Sequence, residues 1–302
     1  MTSEAHEPVL VDEVVQLFTE AHVVMDLTLG PGGHSEALLE SGVGTVVGVD
    51  RDPEALALAR ARLARFGDRF RAVAGSFSEL GRIAAEAGVR AVEGTLFDLG
   101  VSSLHLDRPE RGFSYRDDGP LDMRMSREGP TAADVVNGYP EEELARVIFE
   151  LGGERMSRRI AAAIVRARQR SPIETTGELA AVVAGAVPRR RQGPHPARRT
   201  FQALRIEVNR ELEELTASLP QAVDLLAPGG RLVVIAYQSA EDRIVKRFLL
   251  GEERLRVLTK RPVTPGEREV ARNRRARSAK LRAAEKIAAA EAGADETSGR
   301  AA

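Results

Sequence analysis

Val23 to Asp50 reads V-V-M-D-L-T-L-G-P-G-G-H-S-E-A-L-L-E-S-G-V-G-T-V-V-G-V-D. An apolar run ends in a carboxylate, Asp26. A glycine turn at Gly30, Gly32 and Gly33 leads into a short helical pattern. A second apolar run, Thr45–Val49, ends in another carboxylate, Asp50. Strand, glycine turn, helix, strand and acid in that order make half of a Rossmann-type nucleotide site. Glycine lets the backbone approach a ligand closely, and an acid at the tip of the second strand can accept both hydroxyls of a ribose. The plainer alternative is a glycine turn that only packs a helix on a sheet.

The strands that follow favour the nucleotide. Val43–Asp50 reads as a strand, Pro53–Phe66 as a helix with proline at a permitted first-turn position, Arg69–Gly75 as a strand ending near Phe77, Ser78–Ala87 as a helix, and Ala91–Phe97 as a strand running into Asp98-Leu99-Gly100. Strands alternating with helices imply a parallel sheet covered on both faces. Ligands of such sheets lie beyond the carboxyl ends of the strands, and Asp26, Asp50, Phe77 and Asp98 all fall there. A dinucleotide site asks for G-x-G-x-x-G/A; Gly30 and Gly32 comply, and Ser35 departs from the third position. The spacing Asp26-x-Thr28-x-Gly30-x-Gly32 looks more like the first motif of S-adenosylmethionine methyltransferases, with Thr28 where glycine is commoner. A methionine tail has no pyrophosphate to cradle.

Beyond Gly100 the alternation stops. Asp107–Asp122 is charged and turn-rich, and Thr131–Pro188 is helical in pattern throughout, with capping boxes expected at Thr131/Asp134 and Thr175/Glu178. Phe201, Leu204, Val208, Leu212 and Leu215 share one helical face. A turn at Pro228-Gly229-Gly230 precedes a strand over Arg231–Tyr237, and Ser239 is the expected cap of the next helix. The expected organisation is a sheet domain over 1–106 and 200–286, an inserted helical domain over 107–199, and a frayed tail over 287–302.

The 302 residues suffice for one large domain or two, and 43% hydrophobic with 29% charged residues is an ordinary globular composition. No apolar run approaches the ~20 residues of a membrane span, and the polar start M-T-S-E-A-H-E-P is no secretory signal, so a cytoplasmic protein is expected. The chain has no cysteine. That excludes disulfides, thiolate zinc sites and cysteine-held iron–sulfur clusters, hence radical chemistry built on such a cluster. It also excludes methylation of a pyrimidine carbon through a cysteine adduct, which leaves nitrogen or oxygen as the acceptor of a methyl group. The five histidines have no paired ligand spacing, and no metal is expected. Charge is segregated: Arg254–Lys286 holds twelve Lys or Arg against three Glu, and Arg189–Arg199 holds five Arg and no acid, on an otherwise acidic chain. Two basic stretches suggest a polyanion held at particular places.

Several motifs resemble one family. D-L-T-L-G-P-G-G-H-S (26–35), D-L-G-V-S-S (98–103), E-R-G-F-S-Y (110–115), D-G-P-L-D-M-R-M (118–125), R-R-I-A-A-A-I-V (158–165), R-T-F-Q-A-L-R-I-E-V-N (199–209), E-D-R-I-V-K-R-F (241–248) and R-A-R-S-A-K-L-R (275–282) stand in its order. The chain resembles the bacterial ribosomal RNA small subunit methyltransferase H (MraW) family from about residue 6 to about residue 286. The resemblance implies an α/β, Rossmann-like methyltransferase sheet domain with an inserted all-helical substrate-recognition domain. It implies S-adenosyl-L-methionine as cofactor and methylation of the exocyclic N4 of a cytosine in the decoding region of 16S ribosomal RNA of the small ribosomal subunit. Carried over by position, the cofactor contacts are Gly32, Gly33, His34, Asp50, Phe77, Asp98 and His105. Asp98 and the Ser102-Ser103 turn are candidates for receiving the amine proton. Phe113 and Tyr115 are candidates for stacking on the target base, against local packing. Arg198, Arg199, Arg274, Arg275, Arg277 and Lys280 are candidates for binding phosphates.

Three positions depart from the family pattern. Tyr237-Gln238-Ser239-Ala240 stands where Phe-His-Ser-Leu is usual, His105 where glutamine is common, and Arg274 where proline is usual. Gln238 can only hydrogen-bond, so no imidazole role transfers there. The competing readings are a methyltransferase for another RNA or DNA amine or hydroxyl, a non-catalytic RNA-binding assembly protein, and a nicotinamide dehydrogenase.

Overall fold

The computed structural model describes residues 8–188 and 195–288. The N-terminal residues 1–7, Arg189–Arg191 of the first basic stretch and the tail from residue 289 lie outside the described residues. The chain divides into two compact units: residues up to Gly100 together with those from Leu212, and Val101–Glu211.

The first unit holds one sheet built from β1 (Val23–Asp26), β2 (Thr45–Asp50), β3 (Phe70–Ala74), β4 (Val92–Asp98), β5 (Leu226–Ala236), β6 (Leu255–Val257) and β7 (Lys280–Lys286). Their order is β3-β2-β1-β4-β5-β7-β6. The first five strands pair in parallel, and β7 runs antiparallel between β5 and β6. Successive residues alternate between faces: Met25, Val47, Phe97 and Val234 enter one apolar cluster, and their neighbours Val24, Val46, Leu96 and Val233 enter the other. Burial on both faces is why these strands read as unbroken apolar runs.

Helices α1 (Val11–Leu17), α2 (Gly33–Glu40), α3 (Pro53–Leu63) and α4 (Leu80–Glu86) come before the second unit; α5 (Ser103–Leu106), α6 (Ala132–Gly138), α7 (Glu141–Glu150), α8 (Ser157–Arg168), α9 (Thr176–Ala186) and α10 (Arg198–Asn209) build it; α11 (Glu211–Leu225), α12 (Ser239–Gly251) and α13 (Glu267–Arg272) follow. Asp52 caps α3 ahead of Pro53, and the helix ends at Leu63, before a 3₁₀ stretch over Ala64–Arg69, rather than at Phe66.

Some expectations need correcting. The amphipathic run Phe201–Leu215 is two helices, because Arg210 takes a left-handed conformation (φ 50°) between α10 and α11. A strand starts at Leu226, not Arg231, and Pro228-Gly229-Gly230 is a bulge within it, where the register against β4 shifts. Ser239 is the first residue of α12 rather than its cap: Gln238 caps the helix, in a capping box with Glu241. The helix read over Ser78–Ala87 starts as a 3₁₀ turn, Phe77–Glu79. Within the basic C-terminal stretch, Lys280–Lys286 is a strand paired to β5 and β6.

The second unit has its own core, which gathers Leu144, Ile148, Ile160, Ile164, Leu179, Val183, Phe201 and Leu204. Both expected capping boxes, Thr131/Asp134 and Thr175/Glu178, are present. Two of the longest motifs meet here. Asn209, buried on α10, donates to the carbonyl oxygens of Met123 (2.7 Å) and Arg205 (2.8 Å) and accepts from the N–H of Met125 (2.9 Å). The side chain of α10's last residue therefore holds the backbone of the D-G-P-L-D-M-R-M segment, which is why this helix divides with the helical unit rather than at residue 199. The same segment is crossed by E-R-G-F: a β-carbon on Gly112 would lie 2.2 Å from the Pro120 carbonyl oxygen, and one on Gly119 2.0 Å from that of Pro109.

A methyl group at Gly119 would meet rigid backbone. Gly119→Ala is expected to lower the urea unfolding midpoint of the helical unit by an amount equivalent to about 1–3 kcal/mol or more. Gly185→Ala, in open space on α9, is expected to be neutral or stabilising. Equal midpoints for the two variants would refute the crossing as a packing constraint.

Candidate functional site

The strand order reverses between β1 and β4, and a crevice opens beyond the carboxyl ends of strands at such a point. Three carboxylates end β1, β2 and β4, and the structure gives them different work. Asp26 is 1% exposed. Its carboxylate accepts the Ser35 hydroxyl (2.7 Å) and the Thr28 N–H (3.3 Å), so it braces the turn from inside. Burial pushes its carboxyl above the ordinary range, against the opposing pull of His34 and these hydrogen bonds. Ser35, the residue that breaks the dinucleotide pattern, is the donor that satisfies this acid.

Asp50 is half-buried. One carboxylate oxygen accepts the Gly30 N–H (2.8 Å) and the other accepts the Asp52 N–H (2.9 Å). Gly32, left-handed at φ 85°, donates its own N–H to the Leu29 carbonyl (2.9 Å). The turn's N–H groups at positions 30 and 32 are thus bonded within the protein. A pyrophosphate cradle needs N–H groups free to point at the ligand, and these two are not free. A β-carbon on Gly32 would meet Leu63, and one on Gly33 would meet Pro8. These two glycines answer to packing beneath the turn, and only their backbone is available to a ligand.

Asp98, ending β4, is the centre of the third arrangement. Its N–H donates to Thr28 Oγ1 (2.5 Å), and its Oδ1 accepts the Tyr237 hydroxyl (2.8 Å). Its Oδ2 lies 3.6 Å from His34 Nδ1, beyond hydrogen-bond length. His34 is itself fixed: Nε2 sits 2.8 Å from the Val9 carbonyl oxygen, which can only accept, so Nε2 carries a hydrogen. The close approach of Nδ1 and Oδ2 is then attractive when one of the two holds a proton. Burial raises the Asp98 carboxyl above its ordinary range, with His34 and the Tyr237 bond opposing. Burial first, then the Asp98 charge, pushes the Tyr237 phenol well above its usual value, so it remains a donor. Glu241, 2% exposed, places Tyr237 by accepting the N–H groups of Tyr237 (2.9 Å) and Gln238 (3.0 Å).

Phe77 follows β3, half-buried and edge-on to Phe97 with ring centres 5.7 Å apart. Gly32, Gly33, His34, Asp50, Phe77 and Asp98 therefore share the carboxyl edge of the first unit. His105 lies in the helical unit, 6% exposed, stacked on Phe113 at 4.8 Å with Nδ1 3.3 Å from Ser102 Oγ. Phe113 is 5% exposed in the helical core, and Tyr115 stacks on His195 at 4.6 Å and meets Phe201 edge-on; both are engaged in local packing. Of the basic candidates, Lys280 reaches Asp242 (3.4 Å) and Arg199 reaches Glu154 (3.7 Å), while Arg198, Arg274 and Arg277 are exposed. Sequence reasoning missed Thr28, Ser35 and Tyr237 as members of the site. Thr28 and Ser35 stood out only as departures from glycine patterns, and Tyr237 only as a replacement of phenylalanine.

The donor set suits an adenosine with an amino-acid tail. Asp50 stands half-buried at the end of β2, and Asp98 ends β4 with one carboxylate oxygen 3.6 Å from His34 Nδ1. A match to the MraW methylase family model covers residues 3–287. The chain belongs to the MraW methylase family. Among curated relatives, Ribosomal RNA small subunit methyltransferase H of Acidiphilium cryptum is 50% identical over 94% of this chain and 98% of its own length. The protein of that name from Deinococcus deserti is 53% identical over 95% of each chain. Among the described residues no helix is long and apolar enough to cross a membrane, and no group of three or more His, Cys, Asp or Glu could hold a metal ion.

The raised Asp98 carboxyl has a measurable sign. The folded state keeps this proton to higher pH than the unfolded state does, so its contribution to stability is full below the ordinary carboxylate range and is lost as pH rises through the raised value. Asp98→Asn removes the ionisation. Its thermal midpoint, measured without cofactor, is expected to exceed the parent's at neutral pH, with the gap closing toward about pH 4. A gap that does not vary with pH would contradict a penalised Asp98 charge.

Proposed function

We propose that the carboxyl edge of the first unit binds S-adenosyl-L-methionine and that the protein methylates the exocyclic N4 of a cytosine in the decoding region of 16S ribosomal RNA, in the small ribosomal subunit. One observation supports the cofactor assignment: the carboxyl groups of Asp50 and Asp98 stand at the ends of the parallel strands that flank β1, beside a glycine turn that opens a helix. Ser35 at the third position of the glycine pattern counts against a dinucleotide and with it against the dehydrogenase reading. Membership of the MraW methylase family supports the methyl-transfer chemistry, and the family resemblance supports the cytosine N4 target.

Bound here, the cofactor supplies an electrophilic sulfonium methyl group. Asp50 would take the ribose hydroxyls, Phe77 would give the adenine a flat apolar wall, and the backbone at Gly32 and Gly33 would run beside the methionine end. Asp98, oriented by Tyr237 and faced by His34, would meet the tail ammonium. His105 enters only by the resemblance. The chain's chief task is alignment, because an in-line displacement gains most from fixed geometry. The cytosine amine is a poor nucleophile while its lone pair is delocalised, but once methylated it is cationic and acidic, and its proton passes to solvent without a strong base. The base must leave its stack to be reached. Phosphates would be held by Arg198, Arg199, Arg274, Arg275, Arg277 and Lys280. Such a substrate supports a cytoplasmic location.

Incubating the protein with methyl-labelled S-adenosylmethionine and small subunits that lack the modification should place label in N4-methylcytidine after digestion to nucleosides. Label in another nucleoside would redirect the target, and absence of label with cofactor bound would favour an assembly protein. Asp50→Ala should weaken calorimetric cofactor binding roughly 10- to 100-fold, as expected for losing charge-assisted hydrogen bonds. Unchanged affinity would remove Asp50 from the site.

A further inference from the structure

Helix α8 presents a basic face that its own unit does nothing to neutralise. Between Arg155 and Ile173 the chain holds six arginines and no acid. One of them, Arg168, turns inward and donates to the Val136 carbonyl oxygen (2.7 Å). The other five, Arg155, Arg158, Arg159, Arg166 and Arg170, are exposed. Among the described residues none of the five has an acid within 4.0 Å. Neighbouring α7 behaves differently: Arg146 sits between Glu143 (3.6 Å) and Glu150 (3.3 Å), the usual spacing for helical ion pairs.

The placement follows from helical periodicity. Ile160, Ala161 and Ile164 are buried in the core of the unit. At about 100° per residue, Arg158, Arg159 and Arg166 point to the opposite side, and Arg155 and Arg170 stand just beyond the two ends of the helix. Arg158 and Arg166 are separated by about 12 Å along the axis, with the small Ala162 between them. Local energetics oppose this arrangement. The first turn carries two arginines and no acid, against the positive end of the helix dipole, and the five charges repel one another. The face also lacks the aromatic anchors that protein interfaces use. A polyanion with evenly spaced charges satisfies it.

We propose that the outward face of α8 is a phosphate-binding ridge that takes the backbone of the RNA substrate, separate from the basic candidates at positions 198, 199, 274, 275, 277 and 280. The proposal rests on RNA being the substrate. The test compares Arg159→Glu/Arg166→Glu with the parent, with Arg159→Lys/Arg166→Lys and with the ion-paired control Arg146→Ala. Cofactor affinity and thermal unfolding of each variant establish that the fold is intact. The probe is a 16S ribosomal RNA fragment spanning the decoding region, titrated across a range of salt.

The double reversal should weaken binding roughly 10- to 30-fold at 0.1 M salt and flatten the salt dependence by about 0.7 for each phosphate no longer neutralised. In methyl transfer it should raise KM for the RNA with little change in kcat. The lysine pair should keep most of the affinity, and the Arg146 control should match the parent. Parental affinity and slope in the double reversal, with the parent binding RNA, would overturn the ridge alone. A parent that neither binds nor methylates RNA would overturn the functional reading as well. Loss of activity on assembled subunits with parental binding to the fragment would assign the face to a protein and also refute the proposal.

Discussion

The first unit's site depends on a turn in which the N–H groups of Gly30 and Gly32 are bonded within the protein. Gly30 donates to the acid at the end of β2, and Gly32 donates back to Leu29, so the glycine segment is tied down before any ligand arrives. The same segment reaches β4 through Thr28, whose hydroxyl oxygen receives the Asp98 N–H. Strands β1, β2 and β4 are thereby joined at their carboxyl ends by side-chain-to-backbone bonds in addition to their ladder. The cost is that two carboxyl groups, Asp26 and Asp98, are held where burial disfavours their charge. Perturbed carboxyl groups cluster at functional sites, and these two stand at the strand-order reversal.

The three strand-end acids show how one residue type takes separate roles through environment. Asp26 is sealed in and serves Ser35 and Thr28. Asp50 braces the turn and is only half-buried. Asp98 is held from one side by Tyr237 and approached by His34 from the other. Tyr237 owes its position to the capping box of α12, in which Gln238 and Glu241 bond reciprocally. The family's usual histidine at position 238 is thus replaced by a residue with a clear local task, and an added hydroxyl at 237 reaches the acid.

The sequence-level reading succeeded where signals are local. Both capping boxes, the proline at the start of α3 and the five parallel strands are properties of short windows. It failed where distant segments decide. Arg210 breaks an amphipathic pattern that runs smoothly from Phe201 to Leu215 because Asn209 must end its helix against Met123 and Met125. Lys280–Lys286 becomes a strand because β5 and β6 offer it ladders on both sides, although its composition reads only as part of a basic stretch. Phe113 and Tyr115, set in a charged loop, find aromatic neighbours at positions 105, 195 and 201 that no local pattern announces.

By itself the sequence determined the fold class, the strand-turn-helix-strand unit and its terminal acids, because hydrophobic periodicity, glycine turns and caps act over a few residues. It also determined what the site lacks: without cysteine, neither a thiolate nucleophile nor a cysteine-held cluster was available. Only the tertiary structure decided which acid is sealed and which remain accessible, and that Thr28, Ser35 and Tyr237 are their partners. Those outcomes depend on hydrogen bonds between residues as far apart as 98 and 237. Spacing along the chain carries no information about which side chains the sheet brings within hydrogen-bond reach of one another.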